Sequence, residues 1–436
     1  MHYTPVRVLG RGGFGVVESV IGSDGVEYAK KTLQVPSHLD LATLKPRFER
    51  EVRYQSAIDH PNVVHIFAHN LDATPPWFIM EIAECSLLDE LVIDRTLSGT
   101  PSQALFDILA GLEEIHRRGY CHRDLKPGNV LRLVSSTGRP LYALSDFGLM
   151  AVGEDASSTL TPSGMGGGTP AYQAPECAIN FKRATARSDI YSFGAMLHDI
   201  FASSTKRLPH EELTAPGAVG PVIEKCTKRN SHRRYKDVSQ LREALFEALN
   251  GYTFSFQSGE EEKVVGILAN ETILPDADAW DRVFDFLDTD TAAGHPTYNV
   301  FRTLRLEHIE QLAADDPDLL ASLGKMFADH CRTRSFDFDY CDILAAKAGL
   351  FFSLGEIGLK ADMAVAMLRL GIDHNRWFVE RKFMQMAGPI SEELADRILV
   401  ELKVLGIDFA YEFGRLERSI SVGKDALHPV LQAQVP

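Results

Sequence analysis

The chain has 436 residues, 45% hydrophobic and 24% charged, too long for one compact core and typical of a soluble protein of about two or three domains. Its formal charge of −15 is uneven, because from Gly251 onward 31 acidic residues stand against 18 basic ones, a balance that argues against nucleic acid or an anionic membrane as a partner. Six cysteines without a CxxC pair or a metal-ligand spacing fit a reducing compartment and offer no zinc site. No secretory signal and no charge-free apolar run of about 18 residues is read, so the expected location is cytoplasmic.

Short apolar runs around glycine turns, Val6 to Leu9, Val16 to Ile21 and Val26 to Leu33, predict three antiparallel strands over 4–34. Gly10-x-Gly12-x-x-Gly15-x-Val17 lies in the first turn. Glycines there let backbone N–H groups approach phosphate oxygens, with Phe14 and Val17 placed to roof a base. Read alone the segment is as well a flexible hairpin, and the strand after Gly15 disfavours a dinucleotide fold, which needs a helix at that point.

In Tyr28-Ala29-Lys30-Lys31-Thr32-Leu33 only one lysine can face a cleft, since a strand alternates its sides. Lys31 is the choice because the small Ala29 shares its face. Helical spacing over 43–58 then offers Glu51 as the anion for Lys31, with Glu49 as its competitor; such a pair fixes an ammonium against phosphates.

His122-Arg123-Asp124-Leu125-Lys126-Pro127-Gly128-Asn129 and Asp146-Phe147-Gly148 are the most specific segments. Asp124 can orient and deprotonate a hydroxyl, Lys126 can offset charge on a transferring phosphoryl group, and Asn129 and Asp146 are the oxygen ligands that Mg²⁺ prefers. In this order they are the parts for phosphoryl transfer.

Residues 1 to about 250 therefore resemble a eukaryotic-type serine/threonine protein kinase. The resemblance implies an α+β bilobal fold, a small antiparallel-sheet lobe and a large helical lobe, using ATP and Mg²⁺. It implies an ATP-binding set of Leu9, Gly10, Gly12, Gly15, Val17, Ala29, Lys31, Met80 (the gatekeeper), Glu81 and Ala83 (the hinge), Leu131 and Asp146. Lys31, Glu51, Asp124 and Lys126 are the implied catalytic residues, Asn129 and Asp146 the metal ligands. Thr169-Pro170-Ala171-Tyr172-Gln173-Ala174-Pro175-Glu176 resembles the end of an activation segment, which shapes a groove for a peptide; Glu176 is expected on Arg234, and a buried Asp189 is expected to brace the catalytic loop. Lys30 stands where an aliphatic residue is usual and Gln173 where an apolar one is common.

Lys126 and Thr169 match the serine/threonine pattern, so the implied partner is a protein with Ser/Thr acceptors. A small-molecule kinase of the aminoglycoside-phosphotransferase type is disfavoured by the 169–176 segment, and a pseudokinase scaffold by the presence of Lys31, Asp124 and Asp146. Autophosphorylation is expected in the 149–168 loop, among Ser157, Ser158, Thr159, Thr161 and Ser163, with Arg123 as the phosphate's partner.

The kinase domain is read as 1–252, followed by an acidic, mainly helical domain over 256–436 that regulates or binds a protein partner. Amphipathic patterns there include Leu319, Leu320, Leu323, Met326 and Phe327, and Leu394, Ile398, Leu399, Leu402 and Leu405, the second set opened by Ser391 and closed by Gly406. Phe351-Phe352 and Trp377-Phe378 read as core, and His308, His330 and His374 as polar surface.

Overall fold

The computed structural model describes residues 2–12, 15–34, 41–134, 138–146, 151–152, 170–180, 183–251, 254–270, 272–290 and 297–436. The chain forms two compact units, Met1–Gly251 and Tyr252–Pro436.

The first unit opens with β1 (Tyr3–Gly12), β2 (Gly15–Gly22) and β3 (Glu27–Leu33), then α1 (Leu41–Ser56), β4 (Ile66–Asn70) and β5 (Trp77–Met80). These strands make an antiparallel sheet in the order β1-β2-β3-β5-β4. The second turn works because Gly25 takes φ +80, a left-handed conformation that costs glycine little, while Asp24 accepts the Val26 N–H at 3.0 Å. α1 lays Leu44, Phe48 and Val52 against the sheet, at most 3% exposed. They join Ala29, Phe78 and Met80 in one apolar cluster.

The larger lobe follows: β6 (Cys85–Ser86), α2 (Leu87–Ile93), α3 (Ser102–Arg117), β7 (Tyr120–Cys121), β8 (Val130–Val134), β9 (Pro140–Leu144), β10 (Ala151–Val152), α4 (Pro175–Ile179), α5 (Ala186–Phe201), α6 (Val219–Cys226) and α7 (Val238–Asn250). α2 starts on a reciprocal cap between Ser86 and Asp89. α3 and α5 are buried along almost their whole length, so they are the rigid floor on which the short strands and loops are mounted. Residues 202–218, between α5 and α6, contain no helix.

Among its described residues the second unit's regular structure is helical: α8 (Gly259–Leu268), α9 (Ala277–Asp290), α10 (Thr297–Thr303), α11 (Leu306–Asp315), α12 (Pro317–Thr333), α13 (Tyr340–Leu354), α14 (Ile357–His374), α15 (Trp377–Ala387), α16 (Glu392–Val404), α17 (Phe409–Ile420) and α18 (Pro429–Gln432). α14 is its axis. Ala361 and the apolar run from Met363 to Leu368 have no exposed surface, as befits a stretch of helix apolar all round and packed on by α12, α13, α15 and α16. Ser391 caps α16 by accepting the Leu394 N–H at 3.3 Å, and Gly406 leaves the helix at φ +66.

Two sequence readings need correction here. Leu405 is 40% exposed, unlike Leu394, Ile398 and Leu402, because the helix ends before the residue completes the stripe. His308 and His330 are core residues, 0% and 3% exposed, held in a layer of rings: His308 meets Trp280, and His330 lies 5.0 Å from both Phe301 and Phe336. Burial drives both imidazoles down to about 3, so they are neutral and behave as aromatic packing. His374 is half-buried and accepts the Phe336 N–H at 2.9 Å. Phe351 is fully buried, whereas Phe352, Trp377 and Phe378 are only half-buried. No helix among the described residues is long and apolar enough to cross a membrane.

Candidate active site

Strand register decides what faces the cleft. Lys31 lies opposite Val17 on β2 and Phe78 on β5, and Ala29 lies opposite Met80, so these side chains share one face of the pleat. Lys30 pairs with Glu18 and Ile79 on the reverse face. There its ammonium stands 4.9 Å from the Trp77 ring centroid, a cation–π contact that gives this lysine its own occupation.

Lys31 Nζ donates to Glu51 Oε1 at 2.6 Å and lies 3.6 Å from Asp146 Oδ1. Glu49 pairs within its own helix, 3.7 Å from Lys45. Burial pushes the Glu51 carboxyl up to about 7 against the pull of Lys31. Lys31 is held more firmly protonated than a free lysine, because Asp146 and Glu51 together outweigh its desolvation, and Lys31 in turn keeps Asp146 below the usual carboxylate range. Asp146 sits at φ +65 with its side chain 46% exposed. An ionised carboxylate in a left-handed turn, open to solvent, is the donor a hard cation takes.

Around Lys31 the apolar cluster of Ala29 and Met80 is flanked by Val17, Ile82, Ala83 and Leu131. These side chains supply a dry slot for a flat ring. Glu81 is tied to His65 twice, its N–H donating to the His65 carbonyl at 3.2 Å and its carboxylate accepting the His65 N–H at 3.0 Å. Leu9 is 38% exposed, Gly12 pairs with Gly15 across the hairpin, and a Cβ at Gly10 would meet nothing within 4 Å. A Cβ at Gly15 would come within 3.0 Å of the Thr32 carbonyl oxygen, so glycine there serves close packing of β2 on β3. Phe14, Phe147, Gly148 and Thr169 lie outside the described residues, as do the five candidate hydroxyls of 157–163.

The segment His122–Asn129 is held from below by Asp189. This fully buried carboxylate accepts the backbone N–H groups of His122 and Arg123 at 2.8 Å each and meets His116 Nε2 at 2.8 Å. Burial alone would raise its pKa, but those bonds, His116 first, keep it low and ionised. So anchored, Arg123 holds φ +70 and Asp124 is turned toward its neighbours: Lys126 Nζ donates to Asp124 Oδ2 at 2.7 Å, and Asn129 Nδ2 donates to the Asp124 carbonyl and Oδ2 at 2.8 and 3.1 Å. With its amide nitrogen so engaged, Asn129 keeps its side-chain carbonyl oxygen as the end that could accept or ligate. His116 carried no signal in the sequence: it ends a helix 73 residues from its carboxylate partner.

A further tie lies beside the site. Arg234 forks onto Glu176 at 2.7 and 2.8 Å, and Ser188 Oγ adds a third bond at 2.8 Å. Burial would raise the Glu176 carboxyl, yet these partners keep it below its ordinary value.

A lysine between two carboxylates, and an aspartate beside a lysine and an asparagine, thus stand on a two-lobed scaffold. The family model for the protein kinase domain matches residues 3–249, and the chain belongs to the protein kinase family. The serine/threonine-protein kinase Pkn1 of Myxococcus xanthus is 31% identical over 318 residues, covering 66% of this chain and 44% of that protein. Pkn2 of the same organism is 38% identical over 215 residues, covering 48% and 25%, and PksC of Streptomyces coelicolor is 32% identical over 273 residues, covering 54% and 47%. The chain thus spans less than half the length of these relatives.

Proposed function

We propose that the chain is an ATP-dependent serine/threonine protein kinase. The observation that carries this reading is the Lys31 ammonium, 2.6 Å from Glu51 and 3.6 Å from Asp146, which a scaffold emptied of activity would have no reason to keep. Lys31 would engage the phosphates of ATP, the slot of Ala29, Met80, Ala83 and Leu131 its base, and Gly10, Gly12 and Gly15 would bring backbone N–H groups over it. Asn129 and Asp146, hard oxygen donors, fit Mg²⁺, which when bound neutralises phosphate charge. Asp124 accepts the proton of the acceptor hydroxyl, and Lys126, already hydrogen-bonded to it, offsets charge that develops on the transferred group. The relatives named above, all serine/threonine-protein kinases, support a protein hydroxyl as the acceptor.

Autophosphorylation in the 149–168 loop is part of this reading, with Arg123 on the catalytic segment as the phosphate's partner. The helical unit is proposed to regulate the kinase unit or to recruit a protein, its acidic surplus favouring a basic surface. Incubation with labelled ATP and Mg²⁺, followed by mapping of the modified residues, tests the whole reading. Label on serine or threonine, lost on alanine replacement of Ser157, Ser158, Thr159, Thr161 and Ser163, is the expected result; label on neither the protein nor an added acceptor refutes it. A fragment of residues 1–255 is expected to fold and bind ATP with altered activity toward protein acceptors, and its aggregation would count against a separate regulatory unit.

A further inference from the structure

The segment 170–173 follows the stretch expected to carry the phosphosites and belongs to the part proposed to shape a peptide groove; its own regular structure is one short 3-10 turn, Pro170–Tyr172. It is held from outside. Arg207 Nε donates to the Ala171 carbonyl at 3.1 Å, and the Arg207 guanidinium lies 4.8 Å from the Tyr172 ring centroid. The same guanidinium forks onto Asp199 at the end of α5, which also accepts the Tyr172 hydroxyl at 2.8 Å. Three residues further along, His210 Nδ1 meets the Gln173 carbonyl oxygen at 2.8 Å, which requires a ring N–H on that nitrogen.

His210 reaches that carbonyl at φ +68, a left-handed conformation that L-residues occupy at a cost and that is kept where surroundings demand it. Its neighbour Glu211 is fastened in turn, the Tyr191 hydroxyl donating to the Glu211 carbonyl at 2.7 Å. The helix-free connection between α5 and α6 is thereby pinned at two points to α5, through Arg207 and Glu211, and at two points to the backbone of 170–173.

We propose that this connection braces the acceptor-binding segment, with Arg207 and His210 as positioning residues that set how well a protein substrate is held. The inference rests on the kinase reading above. Neither residue reaches the groups assigned to ATP or to the proton, so their loss should act on one substrate only. Two carbonyls of the presenting segment would relax, and an acceptor chain laid along it would lose its fixed template while the nucleotide side kept its geometry.

The test is steady-state phosphorylation of dephosphorylated casein by the full chain, comparing wild type with Arg207→Ala, Arg207→Lys, His210→Ala and His210→Gly. Glycine matters because it accepts φ +68 without strain, so His210→Gly removes the hydrogen bond and leaves the backbone at ease. The expected result is a fall of about tenfold in kcat/KM for casein, carried by KM, with KM for ATP moved less than twofold; Arg207→Lys should fall between, since a single ammonium cannot fork. Wild-type casein kinetics in His210→Gly, or equal losses toward casein and ATP, would overturn the brace. If the wild type itself transfers phosphate to nothing, the kinase reading fails first and takes the brace with it.

Discussion

Asp189 Oδ1 accepts the backbone N–H of Arg123 at 2.8 Å across 66 residues of sequence, so the conformation of the catalytic segment is dictated by one buried carboxylate on α5. Replacing Asp189 by alanine leaves two buried N–H groups and His116 without their acceptor. Orphaned groups cost about 1–3 kcal/mol each, and roughly 3–5 kcal/mol is expected for the whole change. At about 2–4 °C per kcal/mol, the unfolding transition of the first unit should fall by about 10 °C, with phosphotransfer lost at temperatures where the protein is still folded. Circular dichroism melting checks it, and a shift under about 3 °C would show that other contacts hold the segment.

The Lys31–Glu51 pair carries a pH dependence of known sign. Burial places the Glu51 carboxyl at about 7 in the fold, so it gains a proton as the pH falls through that value, and Lys31 keeps only Asp146 as a counter-charge. The acid limb of kcat/KM for ATP is expected to drop below about pH 7. Glu51→Gln should lower the plateau and remove that limb, because an amide does not titrate. A limb that survives the substitution belongs to another group.

His330 gives the helical unit an acid sensitivity. Neither ring nitrogen finds a hydrogen-bond partner among the described residues, and burial holds the folded value at about 3, below the roughly 6.5 of an unfolded chain. The unfolded state therefore binds the proton first as the pH drops below about 6.5, and stability present at neutral pH is lost. Asp362 and Glu380 work in the opposite direction, raised by burial to about 6 and about 7, so the wild-type profile alone is blunted. His330→Phe isolates the effect. Phenylalanine fits a site ringed by Tyr298, Phe301 and Phe336, and the variant should gain about 2 kcal/mol on wild type between pH 7 and pH 5. Denaturant titration at both pH values measures this, and an unchanged difference would show that His330 protonates freely.

The segment proposed to be catalytic was legible because the chemistry needs Asp124, Lys126 and Asn129 within six residues of one another, and strand alternation together with the small Ala29 on the same face was enough to separate Lys31 from Lys30. The role of Lys30 was not readable, since Trp77 comes from another strand 47 residues away. Arg207 and His210 were equally silent. They act on backbone carbonyls of residues 36 and 37 positions distant, and a carbonyl is the same at every position, so no residue type betrays the pairing. His308 and His330 were misread because a scattered histidine looks polar in sequence. Only the rings assembled around it by tertiary packing make it core.

The most direct measurement is phosphate transfer from labelled ATP in the presence of Mg²⁺ by the full chain, by Asp124→Ala and by Lys31→Ala, each shown to be folded by circular dichroism. Positioning and charge stabilisation supply nearly all the rate in this chemistry, so each substitution should cost at least about 100-fold in kcat, with the label of the wild type on serine or threonine. Transfer at the wild-type rate by the folded Asp124→Ala protein would contradict the account.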